Sequence, residues 1–109
     1  MATNSVTDST FEDEVLKSNQ PVVVDFFAEW CGPCRAMAPA LTQVASELEG
    51  KVKVVKIDVD QNPAVTQKYR ISAMPTLMIF KDGAVHAQHV GALVQKKRLE
   101  DWINGSLSA

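Results

Sequence analysis

The chain has two cysteines, Cys31 and Cys34, separated by Gly32 and Pro33. If Cys31 opens a helix, Cys34 follows on the same face one turn later. Thiols at that spacing can close a disulfide or share a metal ion. A thiol is a poor nucleophile and a thiolate a good one. The unpaired N–H groups and the dipole at a helix N-terminus favour an anion. Cys31 is therefore expected to be the exposed, attacking sulfur. Cys34, a turn deeper, is placed to resolve a mixed disulfide by attacking Cys31. Gly32 lets the backbone turn closely, and Pro33 gives up no needed donor in a first helical turn. The plainer alternative is a pair of buried structural thiols acting as small hydrophobes.

The neighbouring sequence has to place these sulfurs. Before them, Val22-Val23-Val24-Asp25-Phe26-Phe27 is an apolar run without polar alternation, the pattern of a strand buried on both faces. After them, Met37, Leu41, Val44, Ala45 and Leu48 recur at helical spacing, which predicts a helix over 33–49 with Pro39 kinking it. Asp25 is the anomaly. A carboxylate between Val24 and Phe26 is costly to ionise if buried, so its pKa should be raised. At an edge or on a wet face it would behave as an ordinary acid.

The remaining segments alternate. Ser9 and Glu12 have capping-box spacing, and Phe11, Val15 and Leu16 form an apolar stripe, predicting a helix near 9–18. A second strand is expected over 51–60. Asn62-Pro63 then starts a helix to about Tyr69, with Asn62 as its cap. Residues 76–81 and 85–90 read as strands joined at Asp82-Gly83, a dipeptide suited to a type I′ turn. Leu99, Trp102, Ile103 and Leu107 mark one face of a closing helix. The early alternation implies parallel pairing and the terminal hairpin is antiparallel. The expected class is thus α/β, with a mixed sheet and helices on both faces.

Composition narrows the function. The 109 residues suit one compact domain, spanning 1–109. Hydrophobic residues make up 46% and charged residues 22%, and net charge is −2. Only Lys96, Lys97 and Arg98 form a basic run, which reads as a solvated helix face and not as a nucleic-acid surface. No apolar run approaches the ~20 residues of a membrane span. The polar opening Met1-Ala2-Thr3-Asn4-Ser5 has no secretory pattern, so a cytoplasmic protein is expected unless a targeting segment has been removed. Asn104-Gly105-Ser106 matches a glycosylation acceptor by chance in that setting. A cysteine pair in a reducing compartment points to catalysis or metal binding. His86 and His89, three apart on a strand, are expected to face opposite ways and make a poor ligand pair. A four-cysteine zinc site would need two chains. Arg35 stands where haem attachment needs histidine.

The segment from Asp25 through Trp30-Cys31-Gly32-Pro33-Cys34 resembles the active-site segment of the thioredoxin family, itself a common illustration of this cysteine spacing. The likeness continues through Asp60-Gln61-Asn62-Pro63, Met74-Pro75-Thr76, Phe80-Lys81-Asp82-Gly83 and Val90-Gly91-Ala92, covering nearly the whole chain in order. It implies the thioredoxin fold. It also implies that Asp25 is buried beneath the cysteines, accepting or relaying the proton of Cys34, with Lys56 nearby tuning its charge. On sequence alone Lys56 could equally be a surface lysine. The Met74–Pro75 bond is implied to be cis and to face the cysteines, leaving the Met74 backbone free to pair with an extended substrate segment. Trp30, Gly91 and Ala92 would line the same apolar surface.

Two positions depart from the commonest pattern. Phe27 stands where tryptophan is usual, and Ala73 where glycine is frequent. Alanine would be strained there if the position needs positive φ.

The activity so implied is protein disulfide reduction by a small monomeric electron carrier, a thiol–disulfide oxidoreductase. Its partners would be a thioredoxin reductase and disulfide-containing targets such as reductases and peroxidases. No bound cofactor or metal is expected, the chain having no Gly-rich phosphate loop; NADPH would be used indirectly, through the reductase. Proline before the second cysteine resembles the reducing members of the superfamily. The alternative is a non-redox binding subunit or holdase using the same surface.

Overall fold

A computed structural model describes residues 4–108; Met1–Thr3 and Ala109 lie outside the described residues. A mixed sheet of five strands runs in the order β1-β3-β2-β4-β5, with β1 Asn4–Ser5, β2 Val22–Phe27, β3 Lys53–Asp58, β4 Thr76–Lys81 and β5 Ala84–Val90. Three α-helices, α1 Gly32–Glu47, α2 Pro63–Lys68 and α3 Lys96–Ser108, and a helical turn at Glu12–Leu16 cover it. β2 lies parallel to β3 and antiparallel to β4, at the centre of the sheet, which explains the unbroken apolar run of its sequence.

The alternation of β2 sorts the core into two layers. Val22, Val24 and Phe26 point to the face closed by Phe11, Val15 and Val65. Val23 points to the face covered by α1 and α3, where it meets Met37, Leu41, Val44, Leu99 and Ile103. Helices therefore lie on both faces, as the sequence predicts. Helix α1 runs unbroken through Pro39. The β4–β5 turn has positive φ at both Asp82 (54°) and Gly83 (80°), as a type I′ turn requires.

Several expectations are corrected. The helix expected near 9–18 shrinks to one wide turn, in which the Lys17 N–H reaches the Glu12 carbonyl five residues back. The Ser9–Glu12 capping box does not form; Phe11 occupies the cap and makes no side-chain cap bond. Asn62 does not cap α2 either. Its Oδ1 accepts from the Asp8 N–H, and its Nδ2 donates to the Asp58 carbonyl. The cap comes from across the sequence, Asp8 accepting from the Ala64 and Val65 N–H groups at 3.1 and 2.9 Å. Asp8 thus adds a negative charge at the positive end of α2.

His86 and His89 do not face opposite ways. Val85 pairs with Phe80 and Ala87 with Ile79, so His86 is the extra residue of a β-bulge. Both rings then meet α3: His86 Nε2 lies 2.8 Å from the Ser106 carbonyl oxygen, and the His89 ring centroid is 5.9 Å from that of Trp102.

Candidate active site

The site forms where β2 ends and α1 begins. The chain leaves β2 at Phe27 and turns, the Cys31 N–H donating to the Ala28 carbonyl at 3.1 Å. Cys31 then takes the extended geometry of a helix cap (φ −84°, ψ 111°). Its sulfur accepts the Cys34 N–H at 3.1 Å, one of the donors that a helix start leaves unpaired. Pro33 falls in the first turn, where it has no hydrogen bond to lose. Gly32 faces open space: a Cβ built there meets nothing within 4 Å. Cys31 and Cys34 are joined in a disulfide, with Cα atoms 5.3 Å apart.

The expectation that Cys31 is the exposed sulfur does not hold in this state. Cys31 is 4% exposed and Cys34 5%. Three-residue spacing puts both on the inward side of the helix start, and the segment around Met74 closes over Cys31. The Met74 carbonyl oxygen lies 3.5 Å from Cys31 Sγ. The Met74–Pro75 bond is cis, and the Pro75 carbonyl accepts the Gly91 N–H at 2.9 Å. Gly91 has φ 107°, a conformation that requires glycine. Ala92 is partly buried against the core beneath α1 and α3. Trp30 is 65% exposed beside the disulfide, its indole N–H donating to Asp60 Oδ2 at 2.8 Å. Ala73 is not in the positive-φ region, so alanine is unstrained there; its carbonyl accepts from the Thr76 hydroxyl at 2.6 Å.

Asp25 is buried in the central strand, which removes the edge alternative. Its Oδ1 has no hydrogen-bond partner. Burial pushes the carboxyl from its ordinary 3.8 up to about 7, with the Lys56 ammonium pulling it partly back. Lys56 is the direct register neighbour of Asp25 on β3 and is half-buried, so it is not an ordinary surface lysine. Asp25, Cys34 and Lys56 line one cleft of about 290 Å³, together with Phe27, Arg35 and Leu41. Asp25 and Cys34 thus share one semi-enclosed space.

Sequence reasoning gave no role to Asp60, which anchors Trp30, or to Glu29, whose carbonyl accepts from the Arg35 guanidinium at 2.6 Å. The Trp30–Asp60 pair is 30 positions apart and carries no local pattern. Among the described residues, no group of three or more His, Cys, Asp or Glu side chains is arranged to hold a metal ion, and no helix is long and apolar enough to cross a membrane.

A model of the Thioredoxin family matches residues 2–105. A thioredoxin of Rickettsia bellii is 50% identical over 107 residues, 98% of this chain and 100% of its own length. A thioredoxin of Rhodospirillum rubrum is 52% identical over 102 residues, 94% of this chain and 97% of its own. Thioredoxin 1 of a Nostoc species is 54% identical over 92 residues, 84% and 86% of the two chains.

Proposed function

The chain belongs to the thioredoxin family and is a thiol–disulfide oxidoreductase; from that premise we propose how its own residues divide the work. Cys31 is the nucleophile. In the reduced protein its thiolate attacks one sulfur of a target disulfide, forming a mixed disulfide and releasing a target thiolate. Asp25 takes the proton from the Cys34 thiol. Cys34 then attacks Cys31 Sγ, the second target thiolate leaves, and the Cys31–Cys34 disulfide results. Two electrons have passed to the target.

The observation that carries this reading is the hydrogen bond from the Cys34 N–H to Cys31 Sγ at the opening of α1. A donor aimed at that sulfur favours its anionic form. The raised pKa of Asp25 supports its part: a carboxylate near 7 can take up a proton and return it around neutral pH. Lys56 tunes that carboxyl. Gly32 and Pro33 keep the cap open. Trp30, Met74, Pro75, Gly91 and Ala92 form the surface on which an extended target segment docks, its backbone pairing with Met74.

We further infer a single domain working as a monomer in the cytoplasm, reduced by a thioredoxin reductase that draws on NADPH, with disulfide-containing proteins as targets. The carrier itself holds no prosthetic group.

Insulin reduction coupled to a reductase and NADPH tests the assignment. Wild type should consume NADPH. Cys31→Ser should fall to background, and Cys34→Ser should accumulate a mixed disulfide through Cys31. No NADPH consumption by wild type with a competent reductase, or trapping through Cys34 in the Cys31→Ser protein, would overturn it.

A further inference from the structure

Phe27 occupies the last position of β2, two residues beyond Asp25, and its ring forms a wall of the cleft. The Lys56 ammonium lies 5.3 Å from the centroid of that ring, inside the range of a cation–π contact. Among the described residues Lys56 makes no ion pair and no side-chain hydrogen bond. The other charged groups of the cleft are Asp25, Glu29 and Arg35, and Arg35 is engaged with the Glu29 carbonyl. Asp58, the register neighbour of Phe27 on β3, turns its carboxylate to the Asp60 N–H. The ring is thus the partner that the Lys56 ammonium has.

A lysine on a flexible stem at the rim of a cleft has a competing option, which is to extend into water. An ammonium gains hydration by leaving. The negative face of an aromatic ring offsets part of that gain and favours the inward position. We propose that Phe27 is a positioning residue: its ring holds the Lys56 ammonium in the cleft, within Coulomb reach of Asp25, and so sets how readily that carboxyl ionises. This deepens the reading of Asp25 as proton acceptor and Lys56 as its tuner, and it rests on that reading. It also gives the departure at position 27 a physical meaning. The ring is kept there for its face, which phenylalanine supplies without an indole N–H.

The test is a carbon-detected NMR titration of the Asp25 carboxyl in the disulfide form, where neither cysteine titrates. Lys56→Met should raise the midpoint, because it removes the cation. Phe27→Leu should raise it in the same direction, by roughly half of that shift or more, because the freed ammonium moves outward. In the Lys56→Met background, Phe27→Leu should add nothing further. Pentafluorophenylalanine at position 27 keeps the shape of the ring but reverses its charge distribution, and should behave as Phe27→Leu does. Phe27→Trp should leave the midpoint at or below the wild-type value. The pH profile of insulin reduction should move with the midpoint.

A Lys56→Met shift with no response to Phe27→Leu or to the fluorinated ring would overturn the positioning role while leaving the tuning role standing. A Phe27→Leu shift that persists without Lys56 would assign the effect to packing and overturn it as well. No shift in Lys56→Met would sink the tuning role itself, and this inference with it.

Discussion

On the face of the sheet that carries Val22, Val24 and Phe26, three rings close the core. Phe11, Tyr69 and Phe80 meet with centroids 5.2 to 5.8 Å apart, and two of the three contacts are edge-to-face. On the opposite face, Val23, Leu77 and Ile79 pack equally tightly beneath α1 and α3, but the row contains Asp25. There the packing stops short, leaving the cleft of about 290 Å³ and a carboxyl oxygen without a partner. The first layer, which also takes in Cys31 and Cys34, is closed around its rings. The other gives up cohesion around Asp25, where Cys34 and Lys56 line the same cleft. Around it the core side chains of both layers, such as Phe26, Phe80, Met37, Leu77 and Ile79, are fully buried.

Substitutions in the two regions should therefore have opposite signatures. Phe80→Ala should lower unfolding free energy by about 3–5 kcal/mol in urea denaturation, since a buried ring is lost and its site cannot fully collapse. The rate of disulfide reduction, measured well below the melting temperature, should change little. A large loss of activity at preserved fold would break the contrast between the faces.

Asp25→Asn should do the reverse. The unfolded chain ionises at the ordinary 3.8, whereas the folded protein holds its proton to about 7. Between those values the folded state binds more protons, so its stability falls as pH rises through that window; it is unpenalised below and fully penalised above. The interval corresponds to about 4 kcal/mol as an upper bound. Removing the carboxylate should stabilise the disulfide form by roughly 2–4 kcal/mol at pH 8, flatten the dependence between pH 4 and 7, and slow reduction of targets. Unfolding curves at pH 4, 6 and 8 measure the first two effects. An unchanged pH dependence would remove Asp25 as the origin of the penalty.

The smallest effect belongs to the exposed rim. Asp60→Asn weakens the hold on the Trp30 indole and should alter stability by less than about 1 kcal/mol, because the bond is solvent-accessible. Its consequence should appear in Trp30 fluorescence and in KM for protein targets, with kcat nearly unchanged. A fall in kcat matching that of Asp25→Asn would place the ring in the chemistry itself.

The strands, the main helix and the cysteine cap were legible because their signals are local. β2 and β4 fall on the expected residues, and so do both positive-φ positions of the hairpin. What was not legible depended on distant partners. β1 is only two residues long and exists because Asn4 and Ser5 find Val55 and Lys56. The cap of α2 comes from Asp8, more than fifty positions away, which leaves Asn62 free to tie two loops together. The bulge at His86 reverses the side-chain alternation that a plain strand would show. Arg70 adopts φ 56° after α2, and no glycine marks the place.

By itself the sequence determined the chemistry: two sulfurs one helical turn apart, a proline where the helix needs no donor, and a carboxylate in an apolar strand. Those facts are local, because helix and strand periodicity fix relative positions over a few residues. Tertiary structure alone decided how the groups are tuned. It closed Met74 over Cys31, placed Lys56 beside Asp25, and set the Phe27 ring under the ammonium. Burial and Coulomb interaction depend on distances through space, which a linear order of residues does not specify.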